Sequence, residues 1–334
     1  EAFTLIPRGH ELAKEQFLLP VAQLRGLRAQ IPGELGLVKE GDMATVSGKG
    51  FSIIFDMKNG KMLSWKIREK EILAAGAEPN FWRAPTDNDF GNGMEKRCAV
   101  WKHIMDSTEI ISQSIQDEGS IVRFRQKLRH PSSGTEIDNN CMIDASGCLH
   151  YELKLDVKDK DLPEIPRIGL LMQLNKSLSN ISWFGRGPQE NYSDRKASAF
   201  IGEYHKALED MGFAYIRPQE NGYRTDTRWL AVKDDEGAGL LFRSAKAFSF
   251  SSLPYSQKSL DQGVKSNYRH WKDIKEAGFN ELHLDLMQMG LRGDNSWGAR
   301  PHEQYLIRPG QYSFKLIIAP IYPGDNSWDI YKNL

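Results

Sequence analysis

Along much of the chain apolar and polar residues alternate, the two-residue period of a strand with one buried face. The runs His283-Leu-Asp-Leu-Met-Gln-Met289 and Tyr312-Ser-Phe-Lys-Leu-Ile317 show it plainly. From Met43 onward the pattern is regular. Residues 51–57, 58–61 and 62–67 read as strand, turn and strand, and Asn59-Gly60 in the turn predicts a type I′ hairpin. Strand-like runs recur at 121–128, 149–157, 168–174, 181–184, 229–232, 239–242, 247–251, 281–287 and 312–321. Helical spacing is scarce, with one run at 197–211 and a fainter one at 256–268. There is no βαβ rhythm and no fixed repeat. The expected fold class is all-β, a large antiparallel sandwich with a few short helices.

The start of the chain departs from this. Residues 9–19 alternate like a strand but have no neighbouring strand in sequence, and an isolated strand cannot bury a face. Residues 26–36 after them are linker-like. The expected organisation is therefore 1–25 as the last strand of a preceding domain, 26–40 as linker and 41–334 as the sandwich.

Composition removes some function classes. Lys+Arg and Asp+Glu are both 44, so formal charge is zero and neither nucleic acid nor a membrane surface is expected as partner. Hydrophobic residues make up 40% of the 334, with eight Trp, enough for a sizeable core. No apolar run approaches a membrane span. The opening residues lack a basic and then apolar leader pattern, so no signal peptide is expected within them, and localisation stays open. Cys98, Cys141 and Cys148 have no metal-ligand spacing; a Cys141–Cys148 bridge and buried free thiols both remain open.

Four polar stretches interrupt the alternation. In 183–195, two glycines and a proline lead into Gln189, Glu190, Asn191, Tyr192, Asp194 and Arg195, either recognition chemistry on a loop or charges that pair among themselves. In 80–93, Asp87, Asn88 and Asp89 suit turn capping or a hard cation. In 215–229, Arg217, Arg224 and Arg228 can pair with nearby carboxylates, and in 288–298 Trp297 follows a glycine-rich polar turn. That Trp is either packed back onto the sandwich or offered to a ligand.

Together these stretches resemble one family. Phe81-Trp-Arg-Ala-Pro-Thr-Asp-Asn-Asp89, Gly185-Arg-Gly-Pro-Gln-Glu-Asn-Tyr192, Arg217-Pro-Gln-Glu-Asn-Gly222 and Gly293-Asp-Asn-Ser-Trp297 resemble the C-terminal domain of glycoside hydrolase family 2 β-galactosidases. The likeness is ordered and runs from about residue 45 to 321. It implies a galactose-mutarotase-like super-sandwich, and residues 9–19 resemble the last strand of the immunoglobulin-like domain that precedes it in the family. Family hydrolysis of terminal β-D-galactosides (EC 3.2.1.23) is retaining, with two carboxyls about 5 Å apart. The resemblance puts both on a (β/α)₈ barrel that this chain lacks, so it implies no catalytic residue here and an inactive isolated chain. The pairs Glu190 with Asp194 and Asp87 with Asp89 do not match the family's catalytic motifs.

What the resemblance assigns is an edge of the sugar pocket. Trp297, with Asp294 and Asn295, matches the substrate-binding turn on the aglycone side. Asp89, Phe90, Gly91, Asn92 and Gly93 match a mobile loop bordering that pocket, and 95–98 beyond it match nothing. Arg83, Asn191, Tyr192, Asp194 and Arg195 are expected as supporting scaffold. No cofactor or metal is expected on this chain; Mg²⁺ or Na⁺ would sit at barrel sites of the parent. Expected partners are a β-galactoside, the parent's barrel and immunoglobulin-like domains, and further copies of an oligomeric parent. Two other classes stay open. One is a free-standing carbohydrate-binding module. The other is a mutarotase-like epimerase, which needs a His and a Glu converging in a cleft, and the eight histidines are scattered.

Overall fold

The computed structural model describes residues 6–17, 19, 33–263, 270–295 and 297–334. Five strands, β1 (Gly36–Glu40), β2 (Met43–Gly48), β3 (Phe51–Asp56), β4 (Lys61–Ile67) and β5 (Lys70–Glu71), form one antiparallel sheet in chain order. β6 (Leu73–Asn80) follows, then three short helices, α1 (Asp87–Asn92), α2 (Met94–Arg97) and α3 (Ala99–His103). Next come β7 (Glu109–Asp117), β8 (Ile121–Arg129), β9 (Glu136–Asp144), β10 (Leu149–Asp156), β11 (Arg167–Asn175) and β12 (Asn180–Gly187). β13 (Phe200–Ala207), β14 (Arg224–Lys233), β15 (Gly239–Leu253), α4 (Gln257–Leu260), β16 (Phe279–Gln288), β17 (Gln311–Ile321) and α5 (Ser327–Asn333) complete the described elements.

The large layer runs β13-β12-β14-β15-β17-β10-β9-β8-β7. β15 is the hinge of the architecture. Its first half, Gly239 to Arg243, pairs with β17, while Ser249 to Leu253 pairs with β16. β16 in turn pairs β11, and β11 pairs β6. One 15-residue strand thus passes from one layer to the other. The five-stranded sheet continues the second layer beside β6. Gly76 of β6 lies so near β4 that a Cβ there would meet the Met62 carbonyl at 2.4 Å.

Between the layers sits an aromatic and aliphatic core. Phe55 of β3 stacks on Phe124 of β8 at 5.1 Å, and Trp183 of β12 meets Phe250 of β15 edge-on at 5.8 Å. Strands facing this core alternate strictly buried and half-exposed, as β9 does through all nine residues. That alternation is the period the sequence shows, and each large apolar side chain buried contributes roughly 1.5–3 kcal/mol. α5 covers part of the outer face, where Trp328 packs on Phe184 and Trp229. The three cysteines are buried and no disulfide joins Cys141 to Cys148, which settles the open pairing. Burial pushes the Cys98 and Cys141 thiols up to about 12.

Several local expectations are corrected. Residues 197–211 form no α-helix: β13 pairs along β12 and ends in a 3-10 turn at Leu208–Asp210, because the sheet edge offers its backbone partners that local spacing cannot foresee. The turn after β3 is not type I′. Gly60 has φ 70°, but Asn59 is not left-handed, and Asp56 caps the four-residue loop by accepting from Lys58 N and Asn59 Nδ2. The expected linker 26–40 is strand from Gly36, paired with β2, while residues 1–5, 18 and 20–32 lie outside the described residues. Residues 10–17 run exposed without strand pairing, and Gln16 touches the open edge of β13, its amide exchanging two 2.7 Å hydrogen bonds with Ile201. Besides β1 and β13, the strands β5, β6, β7 and β9 lie outside the expected runs. β6 is rich in Ala and Gly with a Pro, β7 is an exposed edge, and β9 carries Asp and Asn, all compositions poor in strand signal.

Candidate functional site

The four polar stretches meet at one end of the sandwich. Thr86 N-caps α1 in a capping box with Asp89, whose carboxylate accepts from Thr86 N at 2.8 Å and Thr86 Oγ1 at 2.9 Å. Arg83 reaches the same carboxylate as a fork, with Nη2 to Asp89 Oδ1 at 3.1 Å, and both side chains are fully buried. The second Arg83 nitrogen also donates to the Gly290 carbonyl at 3.3 Å. The segment expected as a loop is in part a short helix. Asp89, Phe90, Gly91 and Asn92 are helical, and Gly93 closes the helix at φ 71°. The physical reason is the capping box and the buried ion pair, which fix the first turn.

The second stretch grips the Trp297 loop from the other side. Asp194 Oδ2 accepts from Leu291 N at 2.8 Å and Arg292 N at 2.9 Å. Gly290 is required there, since a Cβ would sit 2.7 Å from that same oxygen and 2.9 Å from Tyr305 Cβ. Asn191 ties its own loop to β14 through Thr225, its Oδ1 accepting from N at 2.9 Å and Oγ1 at 2.7 Å. Tyr192 is buried against Tyr223 at 5.5 Å, with the Arg195 guanidinium 5.2 Å above its ring. Arg195 also donates to Glu190 at 2.5 Å, and Glu190 accepts from Gly222 N at 2.7 Å.

The third stretch holds α1 from outside. Gln219 and Asp87 exchange hydrogen bonds of 3.1 and 3.3 Å, and the Arg217 guanidinium lies 4.0 Å from the Phe90 ring centre. Trp297 itself is 93% exposed. Its N–H donates to Asn295 Oδ1 at 2.8 Å, and Asp294 pairs with His302 at 2.8 Å. Gly298 after it approaches the Gly91 carbonyl, with 3.3 Å left for a Cβ. The loop is thus clamped at its root by Arg83 and Asp194, braced on α1, and free at the indole.

These contacts engage three of the four carboxylates that the sequence left as tempting pairs, while Asp87 stays largely exposed beside Gln219 and Arg217. Glu190 serves Arg195, Tyr215 and Gly222; Asp194 caps the 290–292 backbone; Asp89 is sealed by Arg83. Among the described residues no three His, Cys, Asp or Glu side chains converge to hold a metal ion.

The sequence reading missed a buried ionic cluster behind this end. Arg167 contacts Glu220 at 2.8 Å, His283 Nδ1 at 2.8 Å and Asp285 at 3.0 Å, the last too bent for a hydrogen bond. Burial pushes Asp285 up to about 6, against the pull of Arg167. His283 also meets Glu281 at 3.4 Å, so a His–Glu pair does exist. Both are nearly fully buried, and Arg167 and Asn80 close the other ring nitrogen, which leaves no room for a sugar carbon to approach. The available signal was the His283-Leu-Asp285 alternation, which puts two ionisable residues on one face of a strand.

Residues 47–318 match the family described as beta galactosidase small chain. The chain is 33% identical over 300 residues to a beta-galactosidase of Priestia megaterium, covering 90% of this chain and 28% of that protein. It is 30% identical over 325 residues to a beta-galactosidase of Streptococcus thermophilus, covering 96% and 31%. The chain therefore spans about three-tenths of the length of these relatives. Among solved structures it is similar to galactose 1-epimerase of Lactobacillus acidophilus NCFM, at 7% identity and TM-score 0.48, over 89% of this chain and 100% of that one.

Proposed function

The chain belongs to the beta galactosidase small chain family, and from that premise we propose that it is the C-terminal domain of a retaining, family 2 β-galactosidase. In this reading the parent hydrolyses terminal β-D-galactosides on a barrel outside this chain, and the sandwich supplies the aglycone-side edge of the sugar pocket. Any Mg²⁺ or Na⁺ the parent needs is held on that barrel.

One observation carries the reading: Trp297 is exposed at the tip of a loop whose root is clamped by the buried Arg83 and the half-buried Asp194. An indole presents a flat apolar face to sugar C–H groups and loses little side-chain entropy on contact. Placing it on a loop with fixed ends fixes where that face stands without burying it. Asp294 and Asn295 shape the turn, through the hydrogen bond to His302 and the bond from the Trp297 backbone N–H, and α1 forms the neighbouring wall. Among the described residues, Glu190, Asp194 and Asp89 at this end are each tied to structural partners, which supports placing the hydrolytic pair elsewhere.

The test is turnover of an aryl β-galactoside by the purified chain. None above background is expected. Activity that survives repurification and is abolished by Glu190→Gln or Asp194→Asn would overturn the assignment.

A further inference from the structure

A second feature lies where the two layers part, and it shares no residue with the Trp297 loop. A cavity of about 350 Å³ opens between the β3–β4 turn, β6, the start of β7, and strands β8 and β9. Its floor is polar although it lies between sheets: Gln126 and Asn139 are only 4% and 6% exposed. They belong to a directional ladder of hydrogen bonds. The Tyr151 hydroxyl donates to Asn139 Oδ1, Asn139 Nδ2 donates to Gln126 Oε1 at 2.9 Å, and Gln126 Nε2 donates to Gln113 Oε1 at 2.8 Å. Gln113 Nε2 then ends the ladder on the Met57 carbonyl at 2.5 Å. Gly60 makes the room, since a Cβ there would stand 1.9 Å from Gln126 Nε2.

Two properties separate this from an amide ladder packed for stability. Protein interiors are normally filled to crystal-like density, yet here a ligand-sized space stands over the amides. The ladder also leaves capacity unused. An Asn side chain has two N–H donors and a Gln carbonyl two lone pairs, and among the described residues only one of each is engaged between this pair. The spare N–H of Asn139 and the spare lone pair of Gln126 belong to two hydrogen-bonded neighbours that both line the cavity, a donor group next to an acceptor group. That pairing matches two adjacent hydroxyls, each of which both donates and accepts. Pro79, Met105 and Leu128 add apolar wall, Lys61 and Glu78 at the mouth pair at 2.7 Å, and Asp106 adds a carboxylate that meets His103 at 3.1 Å. A floor of neutral amides offers no charge of its own to hold an ion and suits an uncharged ligand.

We propose that this cavity is a binding site for a neutral, hydroxyl-rich ring of monosaccharide size, held by Asn139 and Gln126. The probe is free galactose, with glucose as a second neutral pyranose, titrated into the full 334-residue chain. Side-chain amide signals are followed by ¹⁵N-resolved NMR. The signals of Asn139 and Gln126 should move saturably, with half-saturation in the millimolar range. Ile110→Trp, at the exposed rim, fills the cavity and should abolish the shifts; Glu78→Ala should weaken binding severalfold at unchanged melting temperature. Trp297→Ala should leave the shifts intact, so failure here and failure of the pocket-edge reading are told apart. The proposal falls if roughly 0.1 M of either sugar moves neither amide. It falls equally if the shifts survive both rim variants, because the sugar then sits elsewhere.

Discussion

Asp194→Ala is the most direct probe of how the fold positions the exposed indole. The wild-type carboxylate accepts two backbone N–H groups, from Leu291 and Arg292, at 2.8 and 2.9 Å. Bonds to a charged acceptor contribute about 1.5–3 kcal/mol each. They will not be lost in full, because Arg292 is exposed and water can take over its N–H, whereas Leu291 is buried and its donor would stay unpaired. A net cost of about 2–4 kcal/mol follows, or roughly 3–6 °C in melting temperature for a domain this large. Asp194→Asn keeps an oxygen in place and should cost only about 1 kcal/mol. Urea unfolding gives the global number, and hydrogen exchange of peptides spanning 290–297 gives the local one. Protection at Leu291 should drop sharply in the Ala variant and little in the Asn variant. An Ala variant within about 0.5 kcal/mol of wild type, with unchanged exchange at 290–297, would refute the clamp.

Trp297→Ala should leave stability within about 0.5 kcal/mol, because a side chain 93% exposed buries almost nothing. In the full-length parent the same change should weaken aglycone-side binding by about 1–3 kcal/mol; unfolding of the isolated chain, with a loss near 3 kcal/mol or more, would mark the residue as core. Asp285 predicts an acid-side signature. Its carboxyl is raised from 3.8 to about 6 in the fold, so the folded state holds this proton more tightly than the unfolded chain. Its contribution is full below about pH 4 and is lost as pH rises through 6, about 3 kcal/mol over the window. Asp285→Asn should flatten that part of the stability–pH curve, and an unchanged slope between pH 4 and 6 in the variant would count against it.

Much of this protein is legible in one dimension because strands facing a core repeat every two residues. The alternation along β8, β10, β16 and β17 is a local consequence of one buried face, so the all-β class and most strands could be read directly. The polar stretches were visible for the converse reason, since they break that period. What the sequence could not supply is anything set by a neighbour distant in the chain. Residues 197–211 have helical spacing, yet an open edge of β12 captures them as a strand. Asp89 reads as a loop carboxylate until Arg83 and Thr86 enclose it. Arg167, Glu220, His283 and Asp285 are spread over more than a hundred positions and become one buried cluster only when β11 and β16 pair. Even Gly60, half of an apparent hairpin signal, answers to Gln126 across the layers more than to its own turn. Local period is written into the chain because it needs only the next two residues. Which charge meets which, and which loop is held still, depends on strand order and register, and those are fixed only when the whole sandwich closes.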